Sequence, residues 1–178
     1  PTPMMRQGVG ACYAEDDGWR AVRLPYEGGE LVADMVLPPP GQAPADLSHR
    51  QLLDLTQALD CGQWIADIQL AMPVVDLRTR LNLLPLLQDA VPDLLAPGGL
   101  PGISSAEQLY VTQAVQQGVL KVDEEGTVAA VVTEVGAAGS AAPATPITLT
   151  FDRSYLVRIA TTSTQWPLVL ARIDDPRQ

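Results

Sequence analysis

Val122-Asp123-Glu124-Glu125-Gly126-Thr127-Val128-Ala129-Ala130-Val131-Val132 decides how this chain is read. A β-like run over residues 109–122 leads into an acidic turn. Gly126 follows, and then small and β-branched residues with no Pro and no charge. Beyond Glu134 the sequence Gly136-Ala137-Ala138-Gly139-Ser140-Ala141-Ala142-Pro143 offers almost no side chain able to anchor a core. A strand-competent segment is thus joined to a weakly held stretch. Loops are ordinarily built from turn formers rather than strand formers. A flexible linker has no reason to contain Thr127-Val128-Ala129-Ala130-Val131-Val132.

The 178 residues make one domain's worth of chain, and 47% hydrophobic content is that of a globular protein. The formal net charge of −10, without a basic patch, argues against nucleic acid and anionic membranes as partners. No apolar run approaches the roughly 20 residues that span a bilayer. The opening Pro1-Thr2-Pro3-Met4-Met5 is neither a signal peptide nor a natural initiator, so the chain reads as a fragment. Cys12 and Cys61 make no disulfide framework; they pair with each other, or are two small buried residues, the reading we favour. Trp19, Trp64 and Trp166 read as core fillers.

Residues 8–13 read as a short strand, followed by a turn at Glu15-Asp16-Asp17-Gly18. Val22, Leu24 and Tyr26 alternate with Ala21, Arg23 and Pro25, which predicts a half-exposed strand. Residues 31–37 form a third, ended by Pro38-Pro39-Pro40, and the three make an antiparallel meander. Leu52, Leu55 and Leu59 then recur at helical spacing, with Asp46 or Ser48 as N-cap. Strand pattern returns at 65–72 and 74–77. Residues 83–90 read as a helix capped by Asn82, with Pro85 in its first turn. Residues 109–122 read as one long strand, and 147–151, 155–160 and 168–173 as three more. Strands and helices do not alternate one for one, so the expected class is a β-rich α+β fold.

The order of elements resembles the C-terminal half of a serpin, a serine-protease inhibitor that traps a protease by inserting its reactive-centre loop into a β-sheet. Arg20 to Tyr26, ending Leu24-Pro25-Tyr26, looks like the second strand of sheet B. Phe151-Asp152-Arg153-Ser154-Tyr155 resembles the family's Phe-x-x-Pro-Phe, with Ser154 and Tyr155 replacing Pro and Phe. Arg172-Ile173-Asp174-Asp175-Pro176 matches the usual terminus. The resemblance implies a single domain over residues 1–178, with strands of sheets B and C, two strands of sheet A and a few short helices. It implies a hinge at Glu124, Glu125, Gly126, Thr127, Val128, Ala129 and Ala130, within a reactive-centre loop of about 126–146. Thr127, Ala129, Val131 and Thr133 would face inward after insertion, since a period of two puts them on one strand face. Val128 stands where the family usually has Glu, and Gln116 about where it often has a shutter-region His.

The family's spacing, counted forward from the hinge, puts the reactive site at Ser140; counted back from Phe151, it reaches about Ala137. The reactive-site candidates are therefore Ala137, Ala138, Gly139, Ser140 and Ala141. The implied partners are a serine protease of small-residue specificity and either the N-terminal half of the same serpin or a second copy. An extracellular setting is favoured, and no cofactor or metal is implied. A non-inhibitory serpin-like scaffold is the alternative.

Catalysis finds little support. His49 is the sole histidine, and no Gly-x-Ser-x-Gly elbow exists. Glu124-Glu125 and Asp174-Asp175 read as solvated turns rather than acid–base couples. Gly98-Gly99-Leu100-Pro101-Gly102 lacks the Lys-Ser/Thr of a phosphate loop and reads as a linker. Small bait residues suit elastase-like or subtilisin-like proteases, not trypsin-like ones, whose pocket carboxylate wants Arg or Lys. We therefore expect an elastase-like enzyme to cut within residues 136–142. Mass spectrometry of the products checks this, and a cut confined to Arg153 or Arg158 would show that the bait loop is misplaced.

Overall fold

A computed structural model describes residues 3–61, 66–104, 108–123 and 145–175. The elements run β1 (Met4–Asp16), β2 (Trp19–Pro25), β3 (Leu31–Leu37), α1 (His49–Ala58), β4 (Ala66–Pro73), β5 (Val75–Asn82), α2 (Leu84–Ala90), β6 (Val115–Val122), β7 (Ile147–Thr150), β8 (Tyr155–Thr161) and β9 (Pro167–Ile173). The β-rich α+β class expected from the sequence is present. Among the described residues no helix is long and apolar enough to cross a membrane. The chain divides into two compact units, Pro1–Val75 with Lys121–Arg177 and Asp76–Leu120.

The first unit is organised on a seven-stranded sheet of order β7-β4-β1-β2-β3-β8-β9. All neighbours are antiparallel except β4 and β7. β1 is longer than the expected strand over 8–13 because it serves two partners in succession. Its residues 4–11 pair with β4, and 12–16 pair with β2. The β1–β2 turn needs left-handed backbone at Asp17 (φ 47°) and Gly18 (φ 81°), which Asp tolerates and Gly supplies freely.

The alternation in β2 predicted one exposed face, and the structure buries both. Ala21, Val22, Arg23 and Leu24 are all buried. Arg23 is opposite Asp34 on β3, and Asp34 is opposite Arg158 on β8. The three therefore form a cross-strand row on one face. Arg23 grips Asp34 at 2.6 Å (Nε to Oδ1) and 3.0 Å (Nη2 to Oδ2), and Arg158 Nη1 donates to the same Oδ2 at 2.5 Å. Asp34 is completely buried. Its two oxygens accept from two guanidiniums, so no carboxylate charge is left uncompensated. The donors left over find acceptors in the Thr56 carbonyl (3.2 Å), the Gln165 side chain (3.1 Å) and the Gln165 carbonyl. Gln165 turns into position with φ 56° at the β8–β9 connection.

α1 lies on the same face. The neighbouring register row is Ala14, Ala21, Val36 and Leu156. Ala14, Ala21 and Val36 pack with Trp19 against Leu55 and Leu59 of the helix. Burying these two leucines contributes roughly 1.5–3 kcal/mol each. Ser48 caps α1 as expected, in a reciprocal box with Gln51 at 3.2 Å in both directions.

Three further expectations are corrected. Cys12 and Cys61 form a disulfide across a sequence separation of 49, rather than being two free buried thiols. Closing such a loop is worth about 4 kcal/mol in the chain-entropy account. Trp166 is not a core residue but is 69% exposed, whereas Trp19 is buried as expected; Trp64 lies outside the described residues. The long strand over 109–122 shortens to β6. The backbone of residues 109–114 instead bonds to the loop and helix ends around it, through Leu109 O to Leu100, Val111 N to Leu94 and Ala114 O to Leu83.

The second unit carries β5 paired with β6 in a two-stranded sheet, and α2. β5 runs on to Asn82, past the expected 74–77. The N-cap position of α2 is Leu83 rather than Asn82, although Asn82 Oδ1, one residue earlier, accepts from Leu84 N at 3.1 Å, and Pro85 is in the first turn. The Gly98–Gly102 stretch is a tight turn: a Cβ on Gly99 would lie 2.0 Å from the Asp93 carbonyl oxygen. No residue of α2 is buried.

Asp34→Ala would leave two buried guanidiniums without their shared carboxylate. We expect it to cost about 3–5 kcal/mol of unfolding free energy in urea. A loss below about 1 kcal/mol would show that the row is not a buried ionic network.

Candidate functional site

Every hinge residue (Glu124, Glu125, Gly126, Thr127, Val128, Ala129, Ala130) and every reactive-site candidate (Ala137, Ala138, Gly139, Ser140, Ala141) lies outside the described residues. The structure describes the two anchors from which that stretch departs and to which it returns.

The departing anchor is β6. It is mostly exposed along its length and ends on Val122, which is buried. Gln116, on this strand, is exposed. Gly118 sits where a Cβ would stand 3.1 Å from Thr79 Oγ1 of β5, so a side chain there would press on the partner strand.

The returning anchor is β7, added in parallel to β4 from Ile68↔Ile147 to Ala71↔Thr150. Leu149 is fully buried, and Arg20 Nη1 donates to the Thr148 carbonyl at 3.2 Å. The Phe151 N–H donates to the Ala71 carbonyl at 2.8 Å, which extends the ladder by one bond. Arg153 Nε donates to Pro38 O at 2.9 Å, tying the following turn to the end of β3.

Phe151-Asp152-Arg153-Ser154-Tyr155 carries an aromatic pair. The rings of Phe151 and Tyr155 meet edge to face at 4.8 Å, both buried. The Tyr155 hydroxyl is buried and without a partner among the described residues. Burial pushes its pKa up, because the phenolate would lose its hydration.

The described residues hold no group of three or more His, Cys, Asp or Glu able to bind a metal ion. His49 is exposed at the start of α1. Asp174 pairs with Arg172 at 2.7 Å on the surface, far from any buried acid–base geometry. Sequence reasoning did not foresee that Arg23, Asp34, Arg158 and Gln165 come together in one buried network. The available signal was a charge flanked by apolar residues on both sides in each strand: Val22-Arg23-Leu24, Ala33-Asp34-Met35 and Val157-Arg158-Ile159.

A family model described as "Serpin (serine protease inhibitor)" matches residues 1–176. The chain is 29% identical to mouse antithrombin-III over 99% of its own length and 39% of that protein's. It is 30% identical to mouse plasminogen activator inhibitor 1, over 98% of itself and 45% of the relative. Human kallistatin superposes with a TM-score of 0.79 at 26% identity, covering 99% of this chain and 47% of that one. Tengpin, a thermophilic serpin in its native state, shares the fold with a TM-score of 0.77 at 18% identity. The chain thus spans less than half the length of these relatives.

Tyr155→Phe removes a buried hydroxyl that has no hydrogen-bond partner among the described residues. We expect unfolding free energy to stay level or rise slightly; a loss above about 2 kcal/mol would mean that the hydroxyl is hydrogen-bonded. The raised pKa also sets a sign. The neutral phenol's fit is kept below the ordinary tyrosine pKa of about 10 and is lost as the pH rises beyond it. The Phe variant should accordingly resist alkaline unfolding better than wild type.

Proposed function

The chain belongs to the serpin family, and from that premise we propose that it is the C-terminal part of a protease inhibitor that acts by loop cleavage and insertion. The observation that carries this most directly is the placement of a strand-competent, uncharged stretch between β6 and β7. Residues of about 126–146 are the reactive-centre loop, and 124–130 are its hinge. The protein is not an enzyme in this reaction. The protease supplies the nucleophile, and the loop supplies an extended peptide.

In this scheme the protease attacks a bond among Ala137, Ala138, Gly139, Ser140 and Ala141 and forms an acyl-enzyme. The freed N-terminal part of the loop then pairs with β6 as a new antiparallel strand. Thr127, Ala129, Val131 and Thr133 turn inward, and none brings an ion that would have to be desolvated. The attached protease is dragged along and its site distorted. Elastase-like or subtilisin-like enzymes are the proposed targets, and the setting is extracellular. The Cys12–Cys61 disulfide supports that setting, since such bonds persist in oxidising compartments.

The strands are assigned on the same footing. β1-β2-β3-β8-β9 make up sheet B. β7 and β4 with the first part of β1 make up sheet C, and β5 and β6 are two strands of sheet A. β1 passing from one pairing to the next at Ala11–Cys12 supports this division of one continuous ladder. The chain is also proposed to associate with its N-terminal half or with a second copy. Support comes from the apolar residues it exposes: Trp166, Leu168 and Leu170 on or beside the edge strand β9, and Leu86, Ile103 and Val119 in the second unit. A serpin-like scaffold that is cleaved without trapping is the second reading, favoured by Gln116 where the family often has a shutter-region His; Val128 faces outward in the inserted strand and does not bear on it.

Thr127→Arg in the full-length protein tests the insertion. An inward arginine would have to be desolvated, at a cost of several kcal/mol. We expect trapping to be abolished while the loop is still cut. A variant that traps as well as wild type would overturn the inserted-strand assignment.

A further inference from the structure

We propose that the Cys12–Cys61 disulfide is a redox-controlled latch that holds α1 down over the buried Arg23–Asp34–Arg158 row. Cys12 stands opposite Arg23 in the β1–β2 register, so it continues that row by one strand on the same face. Cys61 lies just beyond α1, after Leu59 and Asp60. The bond therefore ties the C-terminal end of the helix to the sheet beside the ionic row.

The footing of α1 is otherwise narrow. Within the helix only Leu55 and Thr56 are buried, with Leu59 at its end and Leu52 partly buried against the same cluster. Its polar tie to the row is the Thr56 carbonyl, which accepts from Arg23 Nη2 at 3.2 Å. The rest of the 49-residue loop is held differently. β2 and β3 each have hydrogen-bonded strands on both sides and do not depend on the disulfide for their place. Releasing the bond thus frees the helix selectively.

Both cysteines are partly exposed, so a reductant can reach the bond. The reductant is a dithiol. Its thiolate attacks one sulfur and expels the other cysteine as a thiolate, which takes a proton. Its second thiol then closes on the mixed disulfide, becomes oxidised to a cyclic disulfide and releases the second cysteine as a thiol. Two electrons pass to the protein, and α1 loses its covalent tie. Trp19, which packs against Leu55 and Leu59, is uncovered, and water reaches the guanidinium that Thr56 had covered.

The test is hydrogen exchange, followed by mass spectrometry, on the full-length protein with and without dithiothreitol, with thiol labelling of Cys12 and Cys61 to score reduction. On reduction, peptides covering 49–60 should exchange roughly tenfold faster or more, while those covering 31–37 change less than about twofold. A Cys12→Ser/Cys61→Ser variant should show the fast α1 exchange without reductant and no further response to it. Unchanged exchange in 49–60 after reduction overturns the latch. Equal acceleration in 49–60 and 31–37 overturns it too, by making the bond a staple of the whole sheet. Resistance of the bond to dithiothreitol in the folded protein also overturns it. The arm on wild-type protein stands if the double variant fails to fold.

Discussion

Two arginines share one aspartate in the interior of this protein, and the packing of the sheet depends on that arrangement. Asp34 is in the middle of β3, with no access to water, and its carboxylate is flanked by Arg23 on one neighbouring strand and Arg158 on the other. A buried carboxylate with one partner removed is strongly destabilising, whereas an intact, fully hydrogen-bonded network about breaks even against apolar packing. The row therefore contributes specificity more than net stability. It fixes the register of β2, β3 and β8, because a slip of one residue in any of them would turn a charge onto the opposite face. It also fixes what lies above: the Thr56 carbonyl of α1 and the Gln165 turn each satisfy donors that Asp34 cannot.

That constraint connects sequence to proposed function through the strands it orders. β8 is locked to β3 by the row, and the chain just before β8 is locked to β3 and β4 through Arg153 and Phe151. The chain's return into β7 is thus followed by hydrogen-bonded ties to β4 and to the end of β3. β6, from which the loop departs, has most of its residues exposed. Under the proposed function, a well-tied return and an exposed departing strand are what cleavage followed by pairing with β6 would use.

Much of the fold was legible in the sequence. The meander of β1, β2 and β3 follows from turn residues and strand periods. α1 follows from a cap at Asp46 or Ser48 and the spacing of Leu52, Leu55 and Leu59, and the last three strands follow from their apolar runs. What was missed has a physical pattern. Burial of both faces of β2 depends on partners far away in sequence, and alternation sees only one strand at a time. Arg23, Asp34 and Arg158 each look like an ordinary solvent-facing charge until the register brings them into one row. The length of β6 was overcalled because residues 109–114 have strand-like composition but spend their hydrogen bonds on nearby loop and helix ends. Trp166 was misread because size alone places no residue in a core, and its turn beside the edge strand leaves it exposed. The hinge and bait residues were legible only through the family resemblance, since their roles concern a rearrangement and not the packing of a resting fold.

The account stands most directly on whether the full-length protein traps a protease covalently. Incubation with an elastase-like serine protease, followed by denaturing electrophoresis, measures this. The account predicts a band that resists SDS, with the summed mass of the protease and the inhibitor less its C-terminal cleavage peptide, formed together with loss of protease activity. Cleavage of the loop with no such band, and with the protease still active, would contradict it.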